Sequence, residues 1–312
     1  MFKISTLQSI KPLLAFLLLL ICLTPALSNF NGSTENLYSK ADSLDKKKLN
    51  KYIAIAAIGY SGALVGLNQV WYSDHPRESF HFFNDNKDWK QLDKVGHFYN
   101  AFQLSHIGIK AFKNTGLPSQ KSYLWGGLLG VMMLTPIEVF DGFSAEYGAS
   151  WGDVIANASG SAVLFSQYLI WDEVRIHPKF SFYPSSLAQN RPELLGNGLH
   201  EEIIKDYNAM TFWLSFDISR LLGDQNNFPK WLNIAFGYGG NGMISSNDKT
   251  SEALGYDPYR QYYLAIDIDL SHIKTESKFL KALLFMGNMI HLPSAAIEFS
   301  RKKGLVFHPI HF

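Results

Sequence analysis

The chain has 312 residues, enough for one large or two ordinary domains. Only 18% of residues are charged and 14% are aromatic, a balance that tilts toward a membrane or a very large core. The net charge of +1, without a long basic block, gives no reason to expect nucleic acid as a partner.

The N-terminus reads as an export signal. Lys3 and Lys11 form a basic start, "LLAFLLLLICL" (13–23) is the apolar core, and Pro25, Ala26 and Ser28 place cleavage after Ser28. The single cysteine, Cys22, follows Ile21 rather than the small residue that a lipoprotein signal requires. Cleavage after Ser28 leaves no cysteine and hence no disulfide or thiol chemistry. The alternative is that 13–28 stays as an anchor helix. Residues 29–50 are expected to be a linker, with "DKKKLNK" (45–51) a solvated helix start or a lipid-headgroup contact.

Residues 51–175 carry four long apolar segments, at 52–72, 97–112, 122–140 and 153–171. The first, third and fourth approach the roughly 20 residues that span a bilayer. Gly62 and Gly66 make a small-xxx-small pair suited to close helix approach. The connecting loops show no positive-inside bias, so a soluble buried bundle is the competing reading. In the loop 73–94, Phe82, Phe83 and Trp89 with Asp85 and Asp88 suit either a lid at a membrane interface or an ordinary packed loop.

From residue 176 to 312 the period changes to two. In "TFWLSFDI" (211–218), Phe212, Leu214, Phe216 and Ile218 share one face, and Trp213, Ser215 and Asp217 the other. "LNIAFGYG" (232–239) and "QYYLAIDIDL" (261–270) repeat the pattern, with Asp267 and Asp269 facing away from Ile266, Ile268 and Leu270. "SAAIEFS" and "GLVFHPIHF" follow near the end. These read as antiparallel strands with one wet face. "TESKFLKALLFMGNMI" (275–290) is an amphipathic helix, and "HEEIIKDYN" (200–208) a shorter one. "GYGGNG" (237–242) reads as a hairpin or bulge, since no phosphate-gripping helix follows it. Terminal Phe312 has the pattern of a closing outer-membrane strand, but few closed barrels fit so short a region, and a small curved sheet packed on helices is expected. The fold class is α+β: a four-helix, membrane-associated bundle followed by an antiparallel β-rich region.

Polar residues interrupt the apolar helices. Asp93 is placed to cap the second helix, with Lys94 beside it and His97 four residues on. Glu138 and Asp141 share a face at the end of the third helix, where negative charge is disfavoured and calls for a cation, a proton or a strong donor. Ser150 and Asp153 have capping-box spacing at the start of the fourth, followed by Asn157 and Ser161. Short loops make successive helices antiparallel, which predicts these three ends at one level. The cluster could be a structural network, a lipid-directed catalytic or binding site, or a divalent metal site. No HExxH or cysteine motif supports zinc, and metal and cofactor stay unassigned.

"DKVGHF" (93–98), "EVFDGF" (138–143) and "GASWGDVIANASG" (148–160) resemble the YfiM-like family of predicted periplasmic lipoproteins. The order Asp-Lys-x-x-His, Glu, Asp-x-x-x-Asn-x-x-Gly is also similar to VanZ-like membrane proteins of the bacterial envelope. The resemblance covers about 70–170 and falls on Asp93, Lys94, His97, Glu138, Asp141, Asp153 and Asn157. The β-rich half has a counterpart in longer versions from Bacteroidetes-type bacteria. The resembled family has no established function, and the resemblance implies a Gram-negative envelope; with the apolar helices, the expected protein is a periplasmic, membrane-associated component that binds membrane lipid or an envelope protein partner. The alternative function is a membrane-embedded hydrolase or transferase acting on a lipid-linked substrate, with His97 as base.

Overall fold

The computed structural model describes residues 44–72, 76–223 and 226–312, so the expected leader (1–28) lies outside the described residues. Helix α1 (Lys46–Leu67) starts at an Asp45 cap that accepts from the Lys48 amide at 2.9 Å, so residues 46–50 are already helical. Helices α2 (Leu92–Lys113), α3 (Ser119–Gly142) and α4 (Trp151–Trp171) follow. Strands β1 (Ile176–Phe182), β2 (Met210–Phe216), β3 (Leu232–Asn241), β4 (Tyr259–Ile268), β5 (Ser294–Ser300) and β6 (Gly304–His311) form one antiparallel sheet in sequence order. A short helix α5 (Ile218–Leu222) follows β2, and α6 (Lys278–Gly287) lies between β4 and β5. The fold is α+β, as expected.

The chain divides into two compact units. One comprises residues up to Phe83, Asn100–Asp172 and Thr275–Phe285; the other comprises Asn84–Tyr99, Glu173–Lys274 and Met286–Phe312.

In the helical unit, Gly62 of the suggested pair makes no close approach. A side chain built on Gly62 would meet nothing within 4 Å. Instead, one on Gly126 would strike the backbone of Ile109, and one on Gly130 the carbonyl of Ala101. The absence of a Cβ at these two positions of α3 lets α2 and α3 touch backbone to backbone. A polar seam runs beside this contact. Ser105 Oγ donates to the Gly127 carbonyl at 2.7 Å, accepts from the Gly130 amide at 3.1 Å and lies 2.9 Å from Ser161 Oγ. Ser161 is thus part of the helix–helix seam. Among the described residues, α3 is the one helix long and apolar enough to cross a membrane. It leaves Leu124, Trp125, Leu128, Met132 and Val139 exposed.

In the sheet unit, the wet face implied by the alternation is the buried one. Asp267 and Asp269 are each 1% exposed, whereas Ile266 is 51% and Leu264 43% exposed. The inner face carries Trp213, Ala235, Tyr263, Ala265 and Ala296 as its apolar core. Around them sit polar groups, several of which pair with one another. Lys179 and Asp267 form an ion pair at 2.6 Å with both side chains fully buried. Ser215 donates to Asp267 at 2.6 Å and accepts from Asn233 at 2.9 Å. Gly237 lies opposite Trp213, and a Cβ there would run into the indole. The outer edge of β1 is held by Met289–His291, with Phe180 N–H donating to the Met289 carbonyl at 3.0 Å and His291 N–H to the Phe180 carbonyl at 2.9 Å. Tyr183, just past β1, stacks on Phe312 with ring centroids 5.3 Å apart. The antiparallel sheet is as expected; its polarity is reversed.

Part of the outer face is covered within the same unit. Leu92, Met210, Phe212 and Met243 form a buried cluster with Trp89, Val95, Tyr99, Phe180 and Tyr238 packed on it. Beyond that cover, Leu214, Phe236, Leu264, Ile266, Phe299 and Phe307 are exposed. "GYGGNG" splits as a strand end and a turn: β3 runs to Asn241, and Gly242 takes the positive φ of 80°.

Candidate functional site

The opening of α2 is set by an unusual backbone. Trp89, Lys90 and Gln91 have φ of 47°, 55° and 64°, three successive non-glycine residues in the left-handed region. Such strain persists only when the surroundings impose it. Here Trp89 N–H donates to the Ser246 carbonyl at 2.9 Å, Lys90 pairs with Asp248 at 2.5 Å, and the Tyr238 hydroxyl donates to the Lys90 carbonyl. This turn delivers Asp93, Lys94 and His97 to one place.

Asp93 is not the cap that the sequence suggested, because α2 begins at Leu92 and the carboxylate is drawn to other donors. It accepts from the Tyr207 hydroxyl at 2.6 Å and from Lys94 Nζ at 3.1 Å, with His97 Nε2 at 3.9 Å. Lys94 also pairs with Asp85 at 2.6 Å. Burial would raise the Asp93 carboxyl, but His97, Lys94 and the Tyr207 hydroxyl outweigh it and hold it below the usual carboxylate range. The result is an ionised carboxylate beside an imidazole and an ammonium, all half-buried. It can orient the imidazole, with the Lys94 ammonium beside it.

The second group of site residues lies at the end of α3 and the start of α4. Glu138 is buried, and its Oε2 accepts from the Ser150 amide at 3.4 Å. Ser150 caps α4 as expected, its Oγ accepting from the Asp153 amide at 3.3 Å. Glu138 thus meets the amide of the residue that caps the next helix. Asp141 accepts from the Tyr72 hydroxyl at 2.7 Å, and its backbone carbonyl accepts from the Ser144 and Gly148 amides at 3.0 and 2.9 Å. The strong donors that two acids at a helix C-terminus call for are therefore a phenol and a backbone amide. Asn157, one turn beyond Asp153, is buried on the same helix. Tyr72 stands edge-on to Phe140 and Tyr147, each at 5.9 Å. With Asn68, Arg77, Val139, Phe143 and Ser144 it lines an open cleft. The loop residues Phe80, Phe82 and Phe83 are exposed, and Phe82 stacks on exposed Trp151 at 5.0 Å.

The structure thus brings Asp93, Lys94 and His97 together, and brings Glu138 to Asp153 through Ser150. It adds Tyr207 and Tyr72, which the sequence reading did not select, and Asp85, which that reading placed only in the loop before α2. Tyr207 lies 114 residues from Asp93 and Tyr72 lies 69 from Asp141, so no local spacing could have signalled either.

A family described as predicted periplasmic lipoprotein (DUF2279) matches residues 81–169. No curated protein matches the chain, and no solved structure does. The matched span is less than a third of the chain and contains all seven site residues. The chain is similar to this family there, which supports an exported periplasmic or envelope protein whose activity is uncharacterised.

Proposed function

We propose that the protein is a membrane-associated component of the bacterial envelope that binds lipid, with Asp93, Lys94, His97, Glu138, Asp141, Asp153 and Asn157 as its polar recognition residues. The observation that carries this reading is the reversed polarity of the sheet, with Lys179, Asp267 and Glu298 buried while Leu264, Ile266 and Phe299 face outward. That alternation is the signature of strands whose outer face meets hydrocarbon. The exposed apolar stripe of α3 and the aromatic set Phe80, Phe82, Phe143 and Trp151 suit an interface belt and support the same reading. The motif likeness to YfiM-like and VanZ-like envelope proteins and the Gram-negative setting belong to this reading too.

The test is flotation of the purified full chain with phosphatidylethanolamine–phosphatidylglycerol vesicles. Recovery in the vesicle fraction after a high-salt wash is the expected result. Protein that stays soluble without detergent and sediments away from vesicles would refute it, and recovery only with envelope protein present would point to a protein partner instead.

A second reading, a hydrolase or transferase acting on a lipid-linked substrate, is favoured by one feature: the ionised Asp93 beside His97, held by the strained turn 89–91. Replacing His97 and Asp153 together with Ala separates the two. Unchanged cellular phenotype with folded protein removes the enzymatic reading; a turnover lost selectively in that variant establishes it.

A further inference from the structure

A second cluster of ionisable groups lies wholly in the sheet unit, away from the residues just described. Asp217 follows β2, and its Oδ1 accepts from the Arg220 amide at 2.9 Å as the cap of α5. Asp269 follows β4, and its Oδ1 accepts from the Ser271 amide at 2.8 Å. Each carboxylate thus spends one oxygen on the backbone and turns Oδ2 to the same side. His272 Nε2 lies 3.6 Å from both of those Oδ2 atoms. His177, from β1, places its Nε2 3.9 Å from Asp269 Oδ2. These four atoms are buried, and none has a hydrogen-bond partner. Asp217, Asp269 and His177 are 0%, 1% and 7% exposed.

Buried donors left unmatched carry a real cost. Arg220 offsets part of it, with Nε 3.3 Å from Asp217 Oδ2 and Nη1 3.9 Å from Asp269 Oδ2. The same guanidinium is shared with Glu173 at 3.5 Å, which also pairs with Arg175 at 3.0 Å. Three carboxylates therefore meet two guanidiniums, and one negative charge remains. A buried surplus of negative charge beside unmatched polar atoms calls for a cation.

We propose that Asp217, Asp269, His272 and His177 form a binding site for a zinc-class divalent transition ion. The Asp217, Asp269 and His272 donor atoms already lie within 4.8 Å of one another. Ligands about 2.0–2.1 Å from a tetrahedral ion stand roughly 3.3 Å apart, so His272 is already close to ligand spacing from both carboxylates, while the two carboxylates and His177, which lies outside that group, must draw in further as the ion binds. Two imidazoles among the donors favour zinc, iron or copper over calcium or magnesium. With four protein donors the site is structural. It ties β1 to the segments that leave β2 and β4, and Arg220 moves to Glu173 as the ion enters.

The test uses the full chain in detergent micelles, stripped with a chelator and titrated with zinc chloride alone by calorimetry and with cobalt chloride by absorption. One equivalent of zinc, and the intense visible bands of four-coordinate cobalt, are expected. His272→Ala and Asp269→Asn should each weaken binding at least tenfold, while His97→Ala leaves it unchanged. Arg220→Gln removes the competing cation, so it should bind zinc more tightly and regain thermal stability when zinc is added. The inference is overturned if no ion is taken up, if His272→Ala binds like the parent, or if uptake is lost in His97→Ala. An Arg220→Gln protein that zinc does not rescue would show that the cluster is an ion-pair network only.

Discussion

At the scale of the residue, motif spacing named one side of each contact and missed the other. Asp93 and His97 fall together because they are four apart on one helix. Tyr207 and Tyr72, which hold Asp93 and Asp141, arrive from distant segments, and only the folded chain reveals them. The buried histidines give a pH prediction. Burial is the main cause that pulls His291 down to about 4, with Lys179 adding to it and Asp267 opposing. An unfolded histidine titrates near 6.5. The stability that neutral His291 contributes is present above about 6.5 and is lost as the pH falls toward 4, because only the unfolded chain takes up the proton there. His291 stacks flat on Trp213 at 3.9 Å, a contact that Phe can keep. Thermal melts between pH 7 and 4 should therefore show a shallower loss for His291→Phe than for the parent; equal slopes would contradict the assignment.

At the scale of the element, strand and helix positions were legible because period two and long apolar runs are strong signals. The β4 and α6 stretches were placed within a few residues of Tyr259–Ile268 and Lys278–Gly287. Which face of the sheet is buried was not legible, since alternation is symmetric and the usual assumption puts apolar residues inside. Here the deciding partner of Asp267 is Lys179, 88 residues earlier, and no pattern within one strand announces that pair. Removing one member leaves a buried charge uncompensated, so Lys179→Ala should cost about 3–5 kcal/mol in denaturant unfolding. A loss under about 1 kcal/mol would mean that the inner face is not as dry as described. The glycines make a paired prediction for the helices. Gly126→Leu forces α2 and α3 apart and should cost at least about 1–3 kcal/mol. Gly62→Ala meets open space and should be neutral or stabilising by roughly 0.5–1 kcal/mol. Circular-dichroism melts of both variants check the pair; the reverse order would return the contact to the site that the sequence suggested.

At the scale of the whole molecule, the low charged share and the expected leader pointed to export. The family match over 81–169 points to the same periplasmic or envelope setting. The proposal that the protein meets lipid rests on exposed apolar faces, of which the outer face of the sheet is the most specific. It is tested directly by spin labels. The only native cysteine is Cys22, so a Cys22→Ser background with single Leu264→Cys, Ile266→Cys or Lys302→Cys changes gives defined positions. After reconstitution into vesicles, labels at 264 and 266 should collide often with oxygen and rarely with a water-soluble nickel complex, and the label at 302 should do the opposite. Nickel accessibility at 264 and 266 equal to that at 302 would place the outer face in water and contradict the account.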